Sequence, residues 1–277
     1  MAQSFKPIDT ESVLVSGQVD SQPTKVFFDR HLMNMEFEEL KDMNLYKFYS
    51  MKGLTPLLQQ KRLFIDRVKS WEDNYENFFL KEKFYSKSAG VEINTDDVAH
   101  AFFGQCWTYA PETDAMWRIY STDKHGVRIR TKVGKLFSTI FVDDMCIADT
   151  WLGKVEYSPM TQINSYIKQQ TQVDSYSIWQ SLMPYTQFIK RTEFEHEKEF
   201  RIVKMLDSDT CERYYDYKRL AFDITVSDFI EEILLDPRLD EAEVEAQKQE
   251  FVRLGVPESK ISQSQLYHFV PITITLD

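Results

Sequence analysis

The sequence predicts an α+β domain with a mixed, mainly antiparallel β-sheet core flanked by helices. Segments that alternate like strands and segments with helical periodicity follow one another irregularly, without the regular strand–helix repeat of a doubly wound sheet. No glycine-rich phosphate loop follows the first predicted strand, which also argues against a doubly wound fold. The 277 residues are 43% hydrophobic and 14% aromatic, which is ample for a substantial core.

The chain divides into a short N-terminal arm and one larger domain. Residues 1–25 mix Ser, Gln, Pro and Asp with little periodicity, and residues 26–44 include an acidic amphipathic piece. Such a composition is typical of an extension that is poorly ordered or docked. We therefore assign residues 1–40 to an N-terminal arm and residues 41–277 to a single α+β domain.

The domain opens with a strand, a helix and a second strand. Residues 45–50 alternate like a strand, residues 53–60 place three leucines on one face of a short helix, and residues 62–68 alternate again. Residues 69–100 are polar and mostly helical or looped. They end in a helix that begins with two acidic residues, and Thr95 is its predicted N-cap.

An aromatic segment, residues 102–132, is the most distinctive stretch of the chain. A strand at 104–110 is followed by a short helix, a turn and a second alternating run at 127–141. We expect a core hairpin with one exposed edge, which could also form the wall of a pocket. Trp117 and Tyr120, on one turn of the short helix, belong either to the core or to that pocket.

The C-terminal half continues the mixed pattern, and no internal repeat or low-complexity segment interrupts it. We predict, in order, a strand at 151–158, a helix over 163–190, a strand within 192–205, a strand at 229–239, a helix over 241–256 that ends at Gly255, and a terminal strand at 268–277.

The charge and the hydrophobic pattern of the chain limit its expected partners and location. A net charge of −11 argues against general binding to nucleic acid, because phosphate binding depends on clustered Lys and Arg. No run of 18 apolar residues exists, and residues 1–13 lack the pattern of a signal peptide. We therefore expect a cytoplasmic protein without a membrane span. Duplex nucleic acid is an expected partner only if five basic residues gather along one edge of the protein surface: Arg118, Arg128, Arg130, Lys132 and Lys135.

Residue spacing gives no support to metal chemistry or to serine hydrolase chemistry. The three cysteines are far apart, and no two of the five histidines lie three to five residues apart, so we expect neither a disulfide framework nor a metal site. A GxSxG nucleophile motif is absent. The acidic run with Asp143, Asp144 and Asp149 suits a two-metal nuclease by count alone, and we interpret it as a solvated turn.

Several short motifs follow one another between about residues 45 and 267: LYKFYS, WEDNYENFF, CWTYAPETDAMWRIYSTDKHGVRIR, GKVEY, FEHEKEFRIV, EEILLDPR and SQLY. In this order they resemble a bacterial family known as domain of unknown function 2971. The ordered combination is fairly specific, although each motif alone is weak. The family itself implies no established activity.

The first motif also carries a more distant resemblance. In many members of that family it reads like LYHYTS, which is similar to the opening motif of ADP-ribosyltransferases, including the DarT and RNA 2′-phosphotransferase branch. This resemblance implies a toxin or phage-defence effector that consumes NAD. In that superfamily a His or Arg on the first strand holds the adenosine ribose, an aromatic residue or Ser on a middle strand supports the nicotinamide ribose, and a Glu before a late strand completes the site. The corresponding positions here are Lys47, Tyr49 and Ser50, then Trp107 and Tyr109, then Trp117 and Tyr120 around the nicotinamide, and then Glu197 or Glu199.

Two neighbouring carboxylates suit such chemistry on physical grounds. Breaking the bond between nicotinamide and ribose builds positive charge on the sugar, which a carboxylate stabilises. Alternation along a strand would place Glu197 and Glu199 on the same face. Their proximity would raise one pKa and divide the roles of base and charge stabiliser between them.

Each of these residues also has a structural interpretation. Glu197, Glu199 and Arg201 could form a cross-strand ion-pair ladder with the face that carries Arg128 and Arg130. Lys47 could be a solvated charge on an edge strand. The functional alternative is therefore a non-enzymatic module that keeps the cleft for a nucleotide or a protein partner. Lys47 favours it, because a lysine lacks the fixed donor geometry of His or Arg.

Overall fold

The computed structural model describes residues 4–16, 31–40, 42–73, 75–76, 78–87, 89–141, 148–169 and 182–275. The acidic candidates Asp143 and Asp144 lie outside these ranges, as do Cys146 and residues 170–181 of the predicted helix. The side chain of Asp149 also lies outside the described part of the chain.

Strands form the centre of the fold. In chain order they are β1 (Ser4–Pro7), β2 (Ser12–Ser16), β3 (Leu32–Met33), β4 (Asn44–Tyr49), β5 (Arg62–Arg67), β6 (Phe84–Ser86), β7 (Val91–Ile93), β8 (Phe102–Thr108), β9 (Val127–Lys132), β10 (Ala148–Lys154), β11 (Glu156–Ser158), β12 (Ile189–Arg191), β13 (Glu199–Leu206), β14 (Arg219–Asp223), β15 (Glu232–Leu235) and β16 (Ile261–Gln263).

Helices connect and flank these strands. They are α1 (Phe37–Leu40), α2 (Met51–Gln60), α3 (Asp96–Ala101), α4 (Asp114–Tyr120), α5 (Val133–Ile140), α6 (Met160–Gln169), α7 (Met183–Thr186), α8 (Ser208–Arg213), α9 (Val226–Phe229) and α10 (Glu241–Arg253). Short 3-10 helices occur at Val68–Ser70, Phe78–Lys81, Thr192–Glu197 and Glu258–Lys260. Within the described ranges, no helix has the length and apolar character needed to cross a bilayer.

One large sheet organises these elements. Among the described residues its strand order is β1-β2-β14-β5-β8-β4-β9-β15-β16. Three further strands extend from β8: β13 pairs with β8, β10 pairs with β13, and β3 pairs with β10. Most neighbouring strands are antiparallel, whereas β14 with β2, β10 with β3, and β15 with β16 are parallel. The predicted α+β class with a mixed, mainly antiparallel sheet is confirmed. β1 and β2 join the sheet through β14, so residues 4–16 of the predicted arm lie against the domain.

The predicted strand, helix and strand at the start of the domain are confirmed as β4, α2 and β5. Leu54, Leu57 and Leu58 of α2 are buried in the main hydrophobic core, as their helical spacing indicated. The strands predicted at 151–158 and 229–239 are also present, as β10 with β11 and as β15.

The hairpin expected for the aromatic segment is wrong. β4 lies between β8 and β9, so the two strands of the segment are not neighbours. The second alternating run also ends at Lys132, and α5 follows it. Four buried residues explain the helix, because they recur at the spacing of a helical face: Val133, Leu136, Phe137 and Ile140.

Two predictions in the C-terminal half of the chain are also wrong. The helix expected over 163–190 is described as α6 up to Gln169, but it does not continue to residue 190, because Lys190 lies on the strand β12. The terminal strand expected at 268–277 does not form in residues 268–275, where the Phe269 side chain is 81% exposed. β16 takes the position beside β15 instead.

Helix ends show how closely local signals determine structure. α10 is confirmed and begins with a capping box in which Asp240 and Glu243 exchange hydrogen bonds, and Gly255 follows it at a φ of 90°. Thr95 occupies the predicted N-cap position of α3, but its side chain makes no capping hydrogen bond, because its hydroxyl donates to the carbonyl of Leu80 at 2.8 Å. The Asn94 side chain accepts from the first amide of α3 instead.

Candidate functional site

A cleft opens where the sheet divides along one edge of β8. β5 pairs with the beginning of β8 through residues 103–104, whereas β4 meets it only at Thr108. The two strands therefore splay apart across residues 105–107. A cavity of about 750 Å³ lies in this gap, a volume typical of small-molecule sites. Along its other edge β8 pairs with β13, which brings Glu199 to the cleft.

Lys47 of β4 connects this strand to β8 beside the cleft. Its Nζ donates to the carbonyl of Cys106 at 2.7 Å and lies 5.6 Å from the centre of the Tyr49 ring. Burial lowers the pKa of the Lys47 ammonium. The interpretation of Lys47 as a solvated charge on an edge strand is wrong, because β4 lies between β8 and β9.

The two residues that follow Lys47 in the first motif divide between the cleft and a helix start. Tyr49 lines the cleft, where its hydroxyl accepts a hydrogen bond from Gln105 at 3.4 Å and burial raises its pKa. Ser50 caps α2, since its Oγ accepts from the Gly53 amide at 3.2 Å. Ser50 is not part of the cleft wall.

Glu197 and Glu199 converge by a different route from the one that alternation predicted. Residues Thr192–Glu197 form a 3-10 helix, Lys198 adopts a left-handed conformation with a φ of 45°, and β13 begins only at Glu199. The prediction that both glutamates share a strand face is therefore wrong. Both carboxylates nevertheless accept from the Nζ of Lys190, at 2.7 Å for Glu197 and 2.5 Å for Glu199.

A buried ion cluster surrounds these two carboxylates. Arg201, whose side chain is fully buried, donates to Glu199 at 2.6 Å and to Glu76 at 2.5 Å. Lys190 lies 3.3 Å from Glu76 and so contacts all three carboxylates of the cluster. Because buried carboxylates need compensating charges, the two cations hold the three acids in fixed positions.

The ion-pair ladder given as the structural interpretation of Glu197 and Glu199 does not form with Arg128 and Arg130. Arg128 and Arg130 both pair with Glu232, at 2.7 Å and 3.9 Å. Neither of them contributes to the cluster around Glu199.

The cluster separates the pKa values of its two central carboxyl groups. Burial and, after it, the adjacent carboxylate of Glu199 outweigh the opposing effect of Lys190 and raise the pKa of Glu197 to about 7. Burial also acts to raise the pKa of Glu199, but Arg201 and Lys190 outweigh it and hold that pKa well below its ordinary value. One carboxylate therefore stays charged, while the other exchanges a proton near neutral pH.

The predicted aromatic residues lie in different places. Tyr120 lines the cleft, and its hydroxyl donates to Glu197 at 3.0 Å. Trp117 is buried against Phe48, 4.9 Å away, and supports the helix that carries Tyr120. Trp107 is buried with its indole N–H bonded to the side chain of Gln105. Tyr109 follows the end of β8 and packs against the Lys154 ammonium, away from the cleft wall.

Several residues of the site had no strong sequence signal. Glu76 comes from the polar stretch 69–100, and Lys190 was expected on a helix. Trp71 and Phe194 line the cleft and place their rings over Arg201 at 4.7 Å and over Lys190 at 4.5 Å. Only the strand alternation of Glu199 with Arg201 could have indicated the cluster in advance.

Burial disfavours thiol chemistry at this site. Cys106 faces the cleft, but burial raises the pKa of its thiol well above the ordinary value. Within the described ranges, His, Cys, Asp and Glu side chains form no group of three or more that could hold a metal ion.

A family model supports the resemblance inferred from the motifs. It describes a protein of unknown function (DUF2971) and matches residues 116–202. The resemblance to that family is confirmed. The matched residues include Tyr120, Lys190, Glu197, Glu199 and Arg201, which are central to the site. A search of curated proteins gave no match.

Three solved structures show a weaker similarity, all of DarT from Thermus sp. 2.9. They are its complexes with NAD+, with ADP-ribosylated single-stranded DNA and with carba-NAD+, at 9%, 8% and 8% identity. They cover 83%, 83% and 80% of this chain and 98%, 97% and 99% of their own, with TM-scores of 0.37, 0.38 and 0.34. Similarities of this size do not establish a shared fold or a shared activity.

Proposed function

We propose that this chain is an ADP-ribosyltransferase-like enzyme that binds NAD in the cleft and cleaves its bond between nicotinamide and ribose. The observation that carries the proposal is the pair Glu197 and Glu199, held side by side in the wall of a cavity of about 750 Å³. The motif resemblance adds a biological setting, in which the enzyme acts in the bacterial cytoplasm as a toxin or phage-defence effector.

The pair of carboxyl groups supplies what this cleavage needs. As nicotinamide leaves, positive charge develops on the ribose, and the ionised carboxylate of Glu199 stabilises it. The carboxyl of Glu197 holds a ribose hydroxyl and exchanges a proton near neutral pH. The hydroxyl of Tyr120 orients Glu197 through its hydrogen bond.

The rest of the cleft offers complementary contacts for the dinucleotide. Lys47 and Tyr49 present donors at the gap between the splayed strands, where a ribose would lie. Trp71 and Phe194 provide aromatic faces for a base or for nicotinamide. Lys52 adds a cation for the diphosphate at the start of α2.

A second candidate function is binding without catalysis, as a module for a nucleotide or a protein partner. One observation favours it specifically, because both oxygens of the Glu199 carboxylate already accept hydrogen bonds, from Lys190 and from Arg201. Such pairing is also what a purely structural cluster would show. Lys47, at the position of a His or Arg in the motif, favours the same alternative.

Thermal shift and product analysis separate these functions. We expect NAD to raise the melting temperature and the wild-type chain to release nicotinamide, which Glu199→Gln abolishes. The matched control is Glu195→Gln, because Glu195 is exposed, pairs with Lys198 and lies in the same segment. A melting shift with NAD but no nicotinamide release would indicate the binding module. No shift with NAD or with ADP-ribose would refute both the enzyme and the nucleotide-binding module for this cleft, and would leave only the module for a protein partner.

Glu199→Gln also removes the partner of two buried cations, so its stability must be measured. Glu197→Gln provides the second variant, because the Glu197 side chain lies at the rim of the cluster, where it contacts Lys190 and Tyr120. A folded Glu197→Gln chain that retains the wild-type rate of nicotinamide release would contradict the assigned role of this pair.

A further inference from the structure

A second, smaller recess adjoins the cleft beside the two carboxylates. Its volume is about 100 Å³. It shares part of its wall with the cleft through Lys47, Cys106, Tyr120, Glu197 and Glu199. Glu197 and Glu199 therefore border both the cavity proposed for NAD and this recess.

The size and lining of the recess suit a very small guest. Water occupies about 30 Å³ per molecule in the liquid, so the recess has room for about three molecules. It is smaller than the roughly 300 Å³ at which small-molecule pockets begin. Phe48, Trp107 and Met116 make one side apolar. Polar partners for a guest come from the rest of the lining, which includes Lys47, Thr108, Tyr120, Glu197 and Glu199.

The charge of the cleft disfavours a nucleic-acid acceptor. Lys190 already contacts three carboxylates, and Arg219 lies 3.3 Å from Asp66, so these cations are compensated. A polyanion gains affinity from uncompensated Lys and Arg. The acids of the cleft wall outnumber its four basic residues and are Asp66, Glu72, Asp73, Glu76, Glu197 and Glu199.

We propose that the acceptor in this reaction is water drawn from the recess, which makes the chain an NAD glycohydrolase; this inference rests on the function proposed above. The water oxygen forms a bond to the anomeric carbon of the nicotinamide ribose. The bond from that carbon to nicotinamide breaks, and its electron pair stays on the ring nitrogen, so neutral nicotinamide leaves. The carboxylate of Glu197 takes the proton of the water, and ADP-ribose is the second product.

The position of Glu197 fits the role of base. Its carboxylate lies on the boundary between the two cavities, and the Tyr120 hydroxyl fixes one of its oxygens at 3.0 Å. A pKa of about 7 leaves a large fraction of Glu197 ionised at neutral pH and still basic enough to accept a proton.

Product analysis with the wild-type chain tests the acceptor directly. With NAD alone we expect equal amounts of nicotinamide and free ADP-ribose, unchanged when single-stranded DNA or a protein mixture is added. Added methanol, which also fits the recess, should divert part of the product to O-methyl ADP-ribose. ADP-ribose attached to DNA, to added protein or to the chain itself would overturn this inference and leave the cleavage function standing. Absence of nicotinamide release under all these conditions would overturn the cleavage function as well.

A recess-filling variant provides the second test. Met116→Phe enlarges a buried side chain of the recess wall, and we expect the rate of nicotinamide release to fall by about 10- to 100-fold with an unchanged melting shift by NAD. Met205→Phe is the matched control, because Met205 lines a separate cavity of about 580 Å³, and it should retain the wild-type rate. A folded Met116→Phe chain with the wild-type rate would overturn the role of the recess. If Met116→Phe does not fold, the methanol experiment decides.

Discussion

Glu197 should make the stability of this protein depend on pH just below neutrality. Its carboxyl group is only 12% exposed, and burial together with the neighbouring Glu199 raises its pKa from 4.5 to about 7. Between these two values the folded chain holds a proton that the unfolded chain has lost, so the free energy of unfolding falls as the pH rises. At about 1.4 kcal/mol for each pH unit, the fall is about 3 kcal/mol.

Urea denaturation of wild type and Glu197→Gln, at a series of pH values from about 5 to about 8, measures this effect. Glu199 stays ionised in this range, because Arg201 and Lys190 outweigh burial and keep its pKa low. The difference between the two chains therefore reports Glu197. We expect the free energy of unfolding of wild type, relative to the variant, to fall by about 3 kcal/mol across the range. A difference that stays constant, or that rises with pH, would refute the raised pKa.

Two further predictions concern residues that hold the site together, and both are checked by urea denaturation. Arg201→Met leaves Glu199 and Glu76 without their common partner and should lower the free energy of unfolding by about 3 to 5 kcal/mol. The exposed control Arg118→Met should change it by less than about 0.5 kcal/mol, and equal effects of the two would contradict the argument. Lys47→Met removes the donor to the Cys106 carbonyl and should lower stability by about 1 to 3 kcal/mol, whereas no change would mean that this hydrogen bond between β4 and β8 does not stabilise the fold.

The local elements around the site were predictable because short-range patterns determine them. The leucine face of α2 and the terminal glycine of α10 depend on neighbours a few residues away, so periodicity and the position of Gly255 were sufficient. The run after Lys132 was harder, because its apolar residues fit a strand as well as a helix. Burial against the core selected the helical face of α5.

The site itself was only partly predictable. Glu197, Glu199, Lys47, Tyr49 and Tyr120 were identified from motifs, and all five line the cleft. The geometry of these residues was not predicted, because it depends on the left-handed conformation of Lys198, which turns the chain between the 3-10 helix and β13. Glu76 lies in the motif WEDNYENFF and Lys190 at the end of a predicted helix, but neither position indicated a role in the site, since a charged residue in a polar segment looks the same whether it is solvated or buried in a cluster.

The sequence by itself determined the α+β class, the order of most elements and the presence of two adjacent carboxylates, because these follow from side-chain spacing and residue type. Only the tertiary structure decided that β4 separates β8 from β9, that the sheet divides at β8, and that Arg201 and Lys190 meet three carboxylates in one buried cluster. The physical reason is that strand order and the pairing of buried charges depend on contacts between residues far apart in the chain. Sequence periodicity carries no information about such contacts.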